Sequence, residues 1–313
     1  MLLKQLMEVY DILDAPDASG ALAEAYLKSI DPDAEIKVWP LEGPKGVTDM
    51  IRITIPGRRG KRAGGDAPTL GILGRLGGLG ARPEVTGFVS DGDGALAALT
   101  AAAKLLDMHR RGDILEGDVV VSTHICPDAP TREHHPVPFM DSPVEMYQVN
   151  QEEVSDELDA ILSIDTTKGN RIINKRGFAI SNTVKEGYIL RVSEDLLSVM
   201  ERVTGQMPAV FALSTLDITP YGNDLYHLNS ILQPCTATDA PVVGVAIVTE
   251  VPVAGCATGA TNFTDVEASA RYAVEVAKDF GEGKCSFYDA DEYARALNRY
   301  GSMKHLQTFG KTE

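Results

Sequence analysis

The chain has 313 residues, of which 44% are hydrophobic and 24% charged, and its formal net charge is −16. This composition is that of a globular protein; it has no apolar run long enough to span a membrane and no signal-like N-terminus, so we expect a cytoplasmic protein. The acidic excess repels polyphosphate and argues against a nucleic-acid partner. The cysteines are too scattered for a structural zinc site or a disulfide scaffold, and we expect reduced thiols at Cys126, Cys235, Cys256 and Cys285.

Helix-like and strand-like patterns alternate along the first part of the chain. Apolar residues at helical spacing predict helices over 2–13 and 17–30, and alternating residues then predict two strands in AEIKVWPL and DMIRITIP. The basic run GRRGKRAGG is expected to form a mobile loop before the next strand, APTLGILG. The segment SDGDG then leads into the alanine-rich helix ALAALTAAAKLLDMHRRG, with Asp93 or a neighbour placed to cap its free N–H groups.

The same alternation continues to the end of the chain. Strands are predicted in VVVST, LDAILSIDTT, PAVFALSTLD and APVVGVAIVTEVP. Helices are predicted in VSEDLLSVMERVTG, in the short NDLYHLNSIL and in a final long TDVEASARYAVEVAKDFGEG. Apolar strands separated by helices indicate a mostly parallel sheet covered on both faces, and the lack of a linker predicts a single α/β domain over 1–313.

Acids and a histidine follow several of the predicted strands. Asp91 and Asp93 follow TGFVS, His124 and Asp128 follow VVVST, and Asp165 follows ILSI. In an open α/β sheet, ligands gather beyond the carboxyl ends of the strands, and carboxylates and imidazoles are the usual ligands of zinc and manganese. The pattern therefore predicts a metal site, although each aspartate is equally suited to capping a helix or forming a turn.

Two further features bear on this site. The loop GILGRLGGLGARP lacks the spacing of a nucleotide-binding motif. We expect its backbone to approach either a neighbouring loop or a small anionic ligand, which would be held by Arg75 and by N–H groups such as those of Gly77 and Gly78. Cys126 lies two residues after His124, which allows thiol catalysis, but free cysteines are more often buried and inert.

Three segments carry a family resemblance: PTLGILGRLGGLGARP, GFVSDGDGALAALTAAAKLL and STHICPDAPT. On these segments the chain resembles, over nearly its entire length, a bacterial and archaeal family of proteins of unknown function, number 1177. More distantly, the order of elements is similar to zinc-dependent aminopeptidases of the glutamyl aminopeptidase and endoglucanase-M type. That resemblance implies a three-layer α/β sandwich with a mostly parallel mixed sheet, zinc-peptidase-like (phosphorylase/hydrolase-like), and assembly as a homo-oligomer.

The distant resemblance also implies roles for particular residues. In those enzymes an aspartate that bridges two metals precedes an alanine-rich helix, which puts Asp91 at a ligand position. Asp128 stands near the position of the catalytic glutamate pair, with His124 as a substitute ligand, and Asp165 stands at the next acid. The chain departs from the pattern because LGRLGG contains neither residue of His-x-Asp and CATGAT contains no histidine.

Loss of two imidazoles should disable a standard two-metal hydrolase. One interpretation is a metal-assisted hydrolase of a small amide or peptide-like substrate. Its zinc or manganese is held by Asp91, Asp93, Asp165 and one of His124, His134 or His135, its catalytic residues are Asp128 and His124, and its substrate carboxylate is received by Arg75, Gly77 and Gly78. The alternative is a non-catalytic small-molecule-binding or assembly protein on the same scaffold.

Overall fold

Seven α-helices form in the described part of the chain. The structure is a computed structural model that describes residues 2–75, 87–127, 129–133, 139–228, 230–252 and 261–308. The helices are α1 (Leu3–Leu13), α2 (Gly20–Ile30), α3 (Asp93–Arg110), α4 (Met146–Glu153), α5 (Glu194–Thr204), α6 (Phe263–Gly281) and α7 (Ala290–Tyr300). None of these helices is both long enough and apolar enough to cross a membrane.

The strands fall into one large sheet and one small ribbon. They are β1 (Glu35–Gly43), β2 (Gly46–Ile55), β3 (Leu70–Gly74), β4 (Val119–Ile125), β5 (Thr131–Arg132), β6 (Phe139–Met140), β7 (Ala160–Thr167), β8 (Gly177–Ser181), β9 (Val184–Lys185), β10 (Tyr188–Ile189), β11 (Val210–Phe211) and β12 (Val242–Val248). The large sheet has the order β1-β2-β4-β3-β7-β12-β8-β11, with β9 and β10 attached beside β12, and β5 pairs with β6 apart from it.

The four central strands β4, β3, β7 and β12 run parallel. Ile72 at the centre of β3 pairs with Val121 on one side and Leu162 on the other, and all three are fully buried. Such apolar, β-branched runs suit strands covered on both faces. Antiparallel strands flank this centre, β2 against β4 and β8 against β12. The carboxyl ends of the four parallel strands therefore meet at one edge of the sheet.

Helices cover the two faces unequally. Helices α1, α2, α3, α5 and α6 pack on one face, where Leu6, Leu99 and Val276 belong to one apolar core with the sheet. On the other face lie α4 and two 3-10 segments, Thr215–Ile218 and Ser230–Thr236. The predicted three-layer mixed α/β fold is confirmed, and its parallel part is the centre of the sheet.

Two predicted elements differ in the structure, both around Asp217. The strand predicted in PAVFALSTLD is reduced to β11, because the backbone N–H and hydroxyl of Ser214 both donate to Asp217 Oδ2 at 2.8 Å and turn the chain into a 3-10 segment. The helix predicted in NDLYHLNSIL is wrong. The N–H of Leu228 donates to Asp217 Oδ1 at 2.7 Å, and the 3-10 segment that follows contains Pro234.

Other elements were not expected from the sequence pattern. Helix α7 follows the helix predicted to be the last, and α4 forms in a segment for which no helix or strand was predicted. The basic loop contains ion pairs of Arg59 with Asp66 and of Lys61 with Asp159, at 2.8 and 2.7 Å. These contacts tie the predicted mobile loop to its surroundings.

Candidate functional site at the carboxyl edge of the sheet

The start of α3 packs directly on the ends of two central strands. Arg75 follows β3 and donates its backbone N–H to the carbonyl oxygen of Ile164 at 2.8 Å. A Cβ placed on Gly94 would lie 2.0 Å from the oxygen of Arg75 and 2.3 Å from that of Ile164, which leaves room only for glycine. This close approach brings the SDGDG segment, with Asp91 and Asp93, to the same edge as Arg75.

Asp93 is the first residue of α3 and not its cap. Gly92 stands at the cap position, and no side chain caps the helix, so that prediction is wrong. The Asp93 side chain is buried; its Oδ1 accepts a hydrogen bond from Thr261 Oγ1 at 2.7 Å, and its Oδ2 lies 3.9 Å from Lys168 Nζ. Burial raises the pKa of Asp93 to about 7, although Lys168 and Thr261 oppose the rise.

Asp165 lies near the end of β7 and is also buried. Its Oδ1 accepts from the N–H of Thr166 at 2.7 Å, and its Oδ2 lies 3.5 Å from Ser230 Oγ. Burial raises the pKa of Asp165 well above its usual range, the charge of Asp91 raises it further, and Arg75 acts in the opposite direction. Asp91 and Arg75 therefore act in opposite directions on the ionisation of Asp165.

Arg75 makes its strongest contacts with α4. Its side chain is 2% exposed, and Nη1 donates to Asn150 Oδ1 and to Glu153 Oε2, each at 2.9 Å. Within the described structure, Nη2 of Arg75 and Oε1 of Glu153 are buried without a hydrogen-bond partner. Burial raises the pKa of Glu153 to about 7, and the guanidinium opposes that rise. Among the described residues, one donor atom of Arg75 and one acceptor atom of Glu153 therefore form no hydrogen bond.

Helix α4 also holds the outer strands of the sheet. The carbonyl oxygen of Glu152 accepts from Arg52 Nη2 at 2.5 Å, and its Oε2 accepts from Trp39 Nε1 at 3.1 Å. A capping box between Glu145 and Gln148 begins the helix. Asn150 and Glu153 were missed in the sequence, and this box, an acid three residues before a glutamine, was the signal that could have found them.

His124 lies in β4 and is buried. Its Nδ1 lies 2.9 Å from Thr48 Oγ1, whose own proton is donated to the carbonyl oxygen of Ile125 at 3.1 Å. Thr48 Oγ1 must then accept from Nδ1–H, which assigns the tautomer and leaves Nε2 as the acceptor. Burial, with a smaller effect of Arg75, lowers the pKa of His124 to about 3. The imidazole is therefore neutral near pH 7. A neutral imidazole can bind a metal ion, whereas the charged imidazolium form that serves as a general acid is absent at this pH.

Cys126 is buried, and its Sγ donates to the carbonyl oxygen of Val47 at 3.5 Å. The imidazole of His124 uses its Nδ1 for Thr48 and not for the thiol. These contacts favour the packed, inert cysteine over thiol catalysis.

The remaining predicted site residues, Gly77, Gly78, Asp128 and His135, lie outside the described residues, as does His134. Among the residues that are described, no three histidine, cysteine, aspartate or glutamate side chains are grouped closely enough to hold a metal ion. A fixed cation, Arg75, instead acts on both Asp165 and His124. The described donors do not by themselves fit the zinc or manganese centre predicted from the sequence.

Comparison with solved structures finds proteins of similar fold at low sequence identity. The leucine aminopeptidase of Caenorhabditis elegans is 12% identical with a TM-score of 0.54; the match covers 89% of this chain and 66% of that chain, slightly under two thirds. The bottromycin maturation enzyme BotP in complex with Mn is 11% identical, with a TM-score of 0.48 and coverages of 88% and 70%. The glutaminyl cyclase of an Acidobacteriales bacterium is 13% identical, with a TM-score of 0.47 and coverages of 89% and 94%.

None of the curated proteins compared with the chain matches it. A family model does match, over residues 40–310, and that span includes the central strands, α3 and both carboxyl groups of the site, Asp91 and Asp165. The predicted family is confirmed: the chain belongs to the family described as protein of unknown function, DUF1177.

Proposed function

We propose that the protein is a hydrolase of a small, carboxylate-bearing amide or peptide-like compound, with its reaction centre at the carboxyl edge of the sheet. The observation that carries the proposal is the coupling of two carboxyl groups at adjacent strand and helix ends. Asp91 raises the pKa of buried Asp165, and Arg75 on the neighbouring strand acts against it. A buried carboxyl group whose pKa is raised, with a second carboxyl group acting on it, is a common general acid in hydrolytic enzymes.

The two carboxyl groups would divide the proton transfers between them. Asp91 accepts a proton from water as the water oxygen attacks the amide carbon. Asp165, which keeps its proton because it is buried beside Asp91, donates that proton to the leaving nitrogen as the carbon–nitrogen bond breaks. A proton exchange with solvent then restores the starting state of the pair. Asp128, predicted as the base, stays a prediction outside the described residues.

Arg75 is the proposed receptor of the substrate carboxylate. Its Nη2 is buried and has no hydrogen-bond partner among the described residues, while Nη1 is fixed by Asn150 and Glu153. A guanidinium with one edge held and one edge free is oriented to bind a carboxylate, and a charge-assisted bond of this kind is stronger than a neutral one.

The test is turnover of dipeptides and N-acetyl amino acids, each compared with its carboxamide counterpart. We expect Asp91→Asn and Asp165→Asn to reduce turnover by about 100-fold or more, since each removes one proton transfer. Asp107→Asn, on the exposed side of α3, should leave turnover unchanged. Arg75→Lys should raise KM for the carboxylates by about 10-fold and leave the carboxamides unaffected. Full activity in both Asn variants would overturn the proposal.

Metal content tests the zinc or manganese prediction separately. In protein purified without chelator, a metal held at this edge should be lost in Asp165→Asn and kept in Asp107→Asn. A metal retained in Asp91→Asn and Asp165→Asn alike is held by other residues.

A second candidate, binding without catalysis, is favoured by the same Arg75 and Glu153 pair. One unused donor and one unused acceptor in a buried pair are suited to a bound ligand with both polarities. Saturable binding of an N-acetyl amino acid that weakens in Arg75→Lys, without turnover under any metal condition, would support this function over the hydrolase.

A further inference from the structure

A cavity of about 510 Å³ lies between the start of β8, the end of α5 and the first turns of α6. Its size is in the range of small-molecule sites, which are usually apolar clefts with a few polar groups. The cavity is lined by Arg176, Asp265 and Arg271 and includes none of Arg75, Asp91 or Asp165. It is therefore distinct from the site proposed above.

Part of the cavity lining is apolar. Phe178 on β8 and Met200 on α5 are each 2% exposed, and Ala268 on α6 packs against the same core. These side chains belong to the rigid centre of the protein. They give the cavity a preformed apolar wall that can hold a compact hydrocarbon or aromatic group.

The charged part of the lining has unused donors. Arg271 places its Nη2 3.2 Å from Glu267 Oε2, while its Nε is buried without a hydrogen-bond partner in the described structure. Arg176 is 64% exposed and reaches Asp265 Oδ2 only at 3.9 Å, near the limit of an ion pair. Lys175 adds a third cation to the lining, against the two acids Glu250 and Asp265. The lining itself therefore carries three cations and two acids, and Glu267 outside the lining pairs with one of those cations, Arg271.

We propose that this cavity is a second ligand site, for a small monocarboxylate with a compact apolar body. The carboxylate is bound by the guanidinium groups of Arg271 and Arg176, and the apolar body lies against Phe178, Met200 and Ala268. A guanidinium with a buried, unpaired N–H gains most from an anionic acceptor, because such a group is costly to leave without a hydrogen bond. An amide of the same shape can accept that hydrogen bond through its carbonyl oxygen, but it lacks the charge that strengthens the bond.

The probe is 3-phenylpropionate, with 3-phenylpropionamide as its uncharged match, titrated into the full chain by calorimetry or ligand-observed NMR. We expect saturable binding of the carboxylate and affinity for the amide that is lower by about 10-fold or more. Arg271→Gln should raise Kd by about 10-fold, and Arg299→Gln, on the exposed side of α7, should not change it.

Two further variants keep the test decisive if Arg271→Gln does not fold. Arg176→Gln changes a largely exposed side chain and should weaken carboxylate binding alone, while Ala268→Leu fills the cavity and should weaken both probes. Arg75→Lys should leave this Kd unchanged, because Arg75 does not line the cavity, and that result separates the cavity from the carboxylate receptor of the proposed reaction centre. No binding up to about 10 mM, or equal affinity for acid and amide, would overturn the inference.

Discussion

Nη1 of Arg75 lies 2.9 Å from Oε2 of Glu153, and both side chains are almost completely buried. Removing one member of such a pair leaves the other charge buried and unpaired, which costs about 3–5 kcal/mol, whereas replacing both by apolar groups is often nearly neutral. The pair therefore makes a specific prediction about stability.

Arg75→Met is expected to lower the free energy of unfolding by about 3–5 kcal/mol, and the double variant Arg75→Met, Glu153→Leu is expected to recover most of that loss. Urea denaturation measures both. The control is Arg202→Met, which breaks an exposed pair with Asp279 and should cost about 1 kcal/mol or less. A double variant as unstable as the single one would mean that the guanidinium contributes by packing and not by charge.

The raised pKa of Asp93 predicts that the protein becomes less stable as pH rises. Its folded pKa, about 7, lies above the ordinary value of 3.8, so the folded state binds more protons between those values. The free energy of unfolding should therefore decrease as pH rises from about 4 to 7. Asp93→Asn keeps an oxygen for Thr261 and should flatten this decrease, with a gain of roughly 2 kcal/mol at neutral pH. Urea titrations at several pH values measure the slope, and an unchanged slope in the variant would exclude Asp93 as its source.

The lowered pKa of His124 predicts the opposite effect, a stability that increases as pH rises. Burial lowers its pKa to about 3 in the folded state, so the unfolded chain binds the extra proton. Its contribution to stability is complete above about pH 6.5 and is lost as pH falls toward 3. In proton–carbon NMR spectra the ring signals of His124 should not shift between about pH 5 and 8, while the same ring titrates in the urea-unfolded chain. A folded-state midpoint near pH 6 would show that the imidazole is reached by solvent.

Gly94 is predicted to tolerate no side chain. A Cβ there would meet two backbone oxygens, of Arg75 and Ile164, at 2.0 and 2.3 Å, and backbone atoms cannot move aside as the end of a flexible side chain can. Gly94→Ala should destabilise the protein by about 2 kcal/mol or more despite the better helix propensity of alanine. Thermal melting measures the loss, with Asp107→Ala on the same helix as the comparison.

The sequence predicted those parts of the fold whose pattern is local. The buried runs VVVST and VVGVAIV became central strands, and the periodic segments became helices α3, α5 and α6, because burial on two faces or on one face leaves a periodic signature. The same reasoning placed Asp165 at the carboxyl edge, whereas Arg75 was predicted only as a residue of the glycine-rich loop that holds an anionic ligand. Strand ends in a parallel sheet meet wherever the strands are adjacent.

The missed features depend on contacts between distant residues. Asn150 and Glu153 lie in a short helix with little apolar periodicity. Both accept hydrogen bonds from Arg75, from which they are separated by 75 and 78 residues in the sequence. Asp93 was expected as a cap, a local role, but it accepts a hydrogen bond from Thr261, 168 residues later. No local spacing encodes a partner at such a separation.

The last turn of α4 carries a consequence for local opening. Glu152 accepts hydrogen bonds from Trp39 and Arg52 in the outer hairpin. The next residue, Glu153, accepts one from Arg75, which follows a central strand of the sheet. If this turn unfolded locally, the hydrogen bonds of Glu152 and Glu153 would break together, and the guanidinium of Arg75 would lose its carboxylate partner. The backbone amides of the turn should therefore exchange with deuterated solvent as slowly as those of β3, although helix ends ordinarily exchange fast. An eight-residue helix on one face would then exchange as part of the central sheet, and the outer hairpin and the proposed reaction centre would open together.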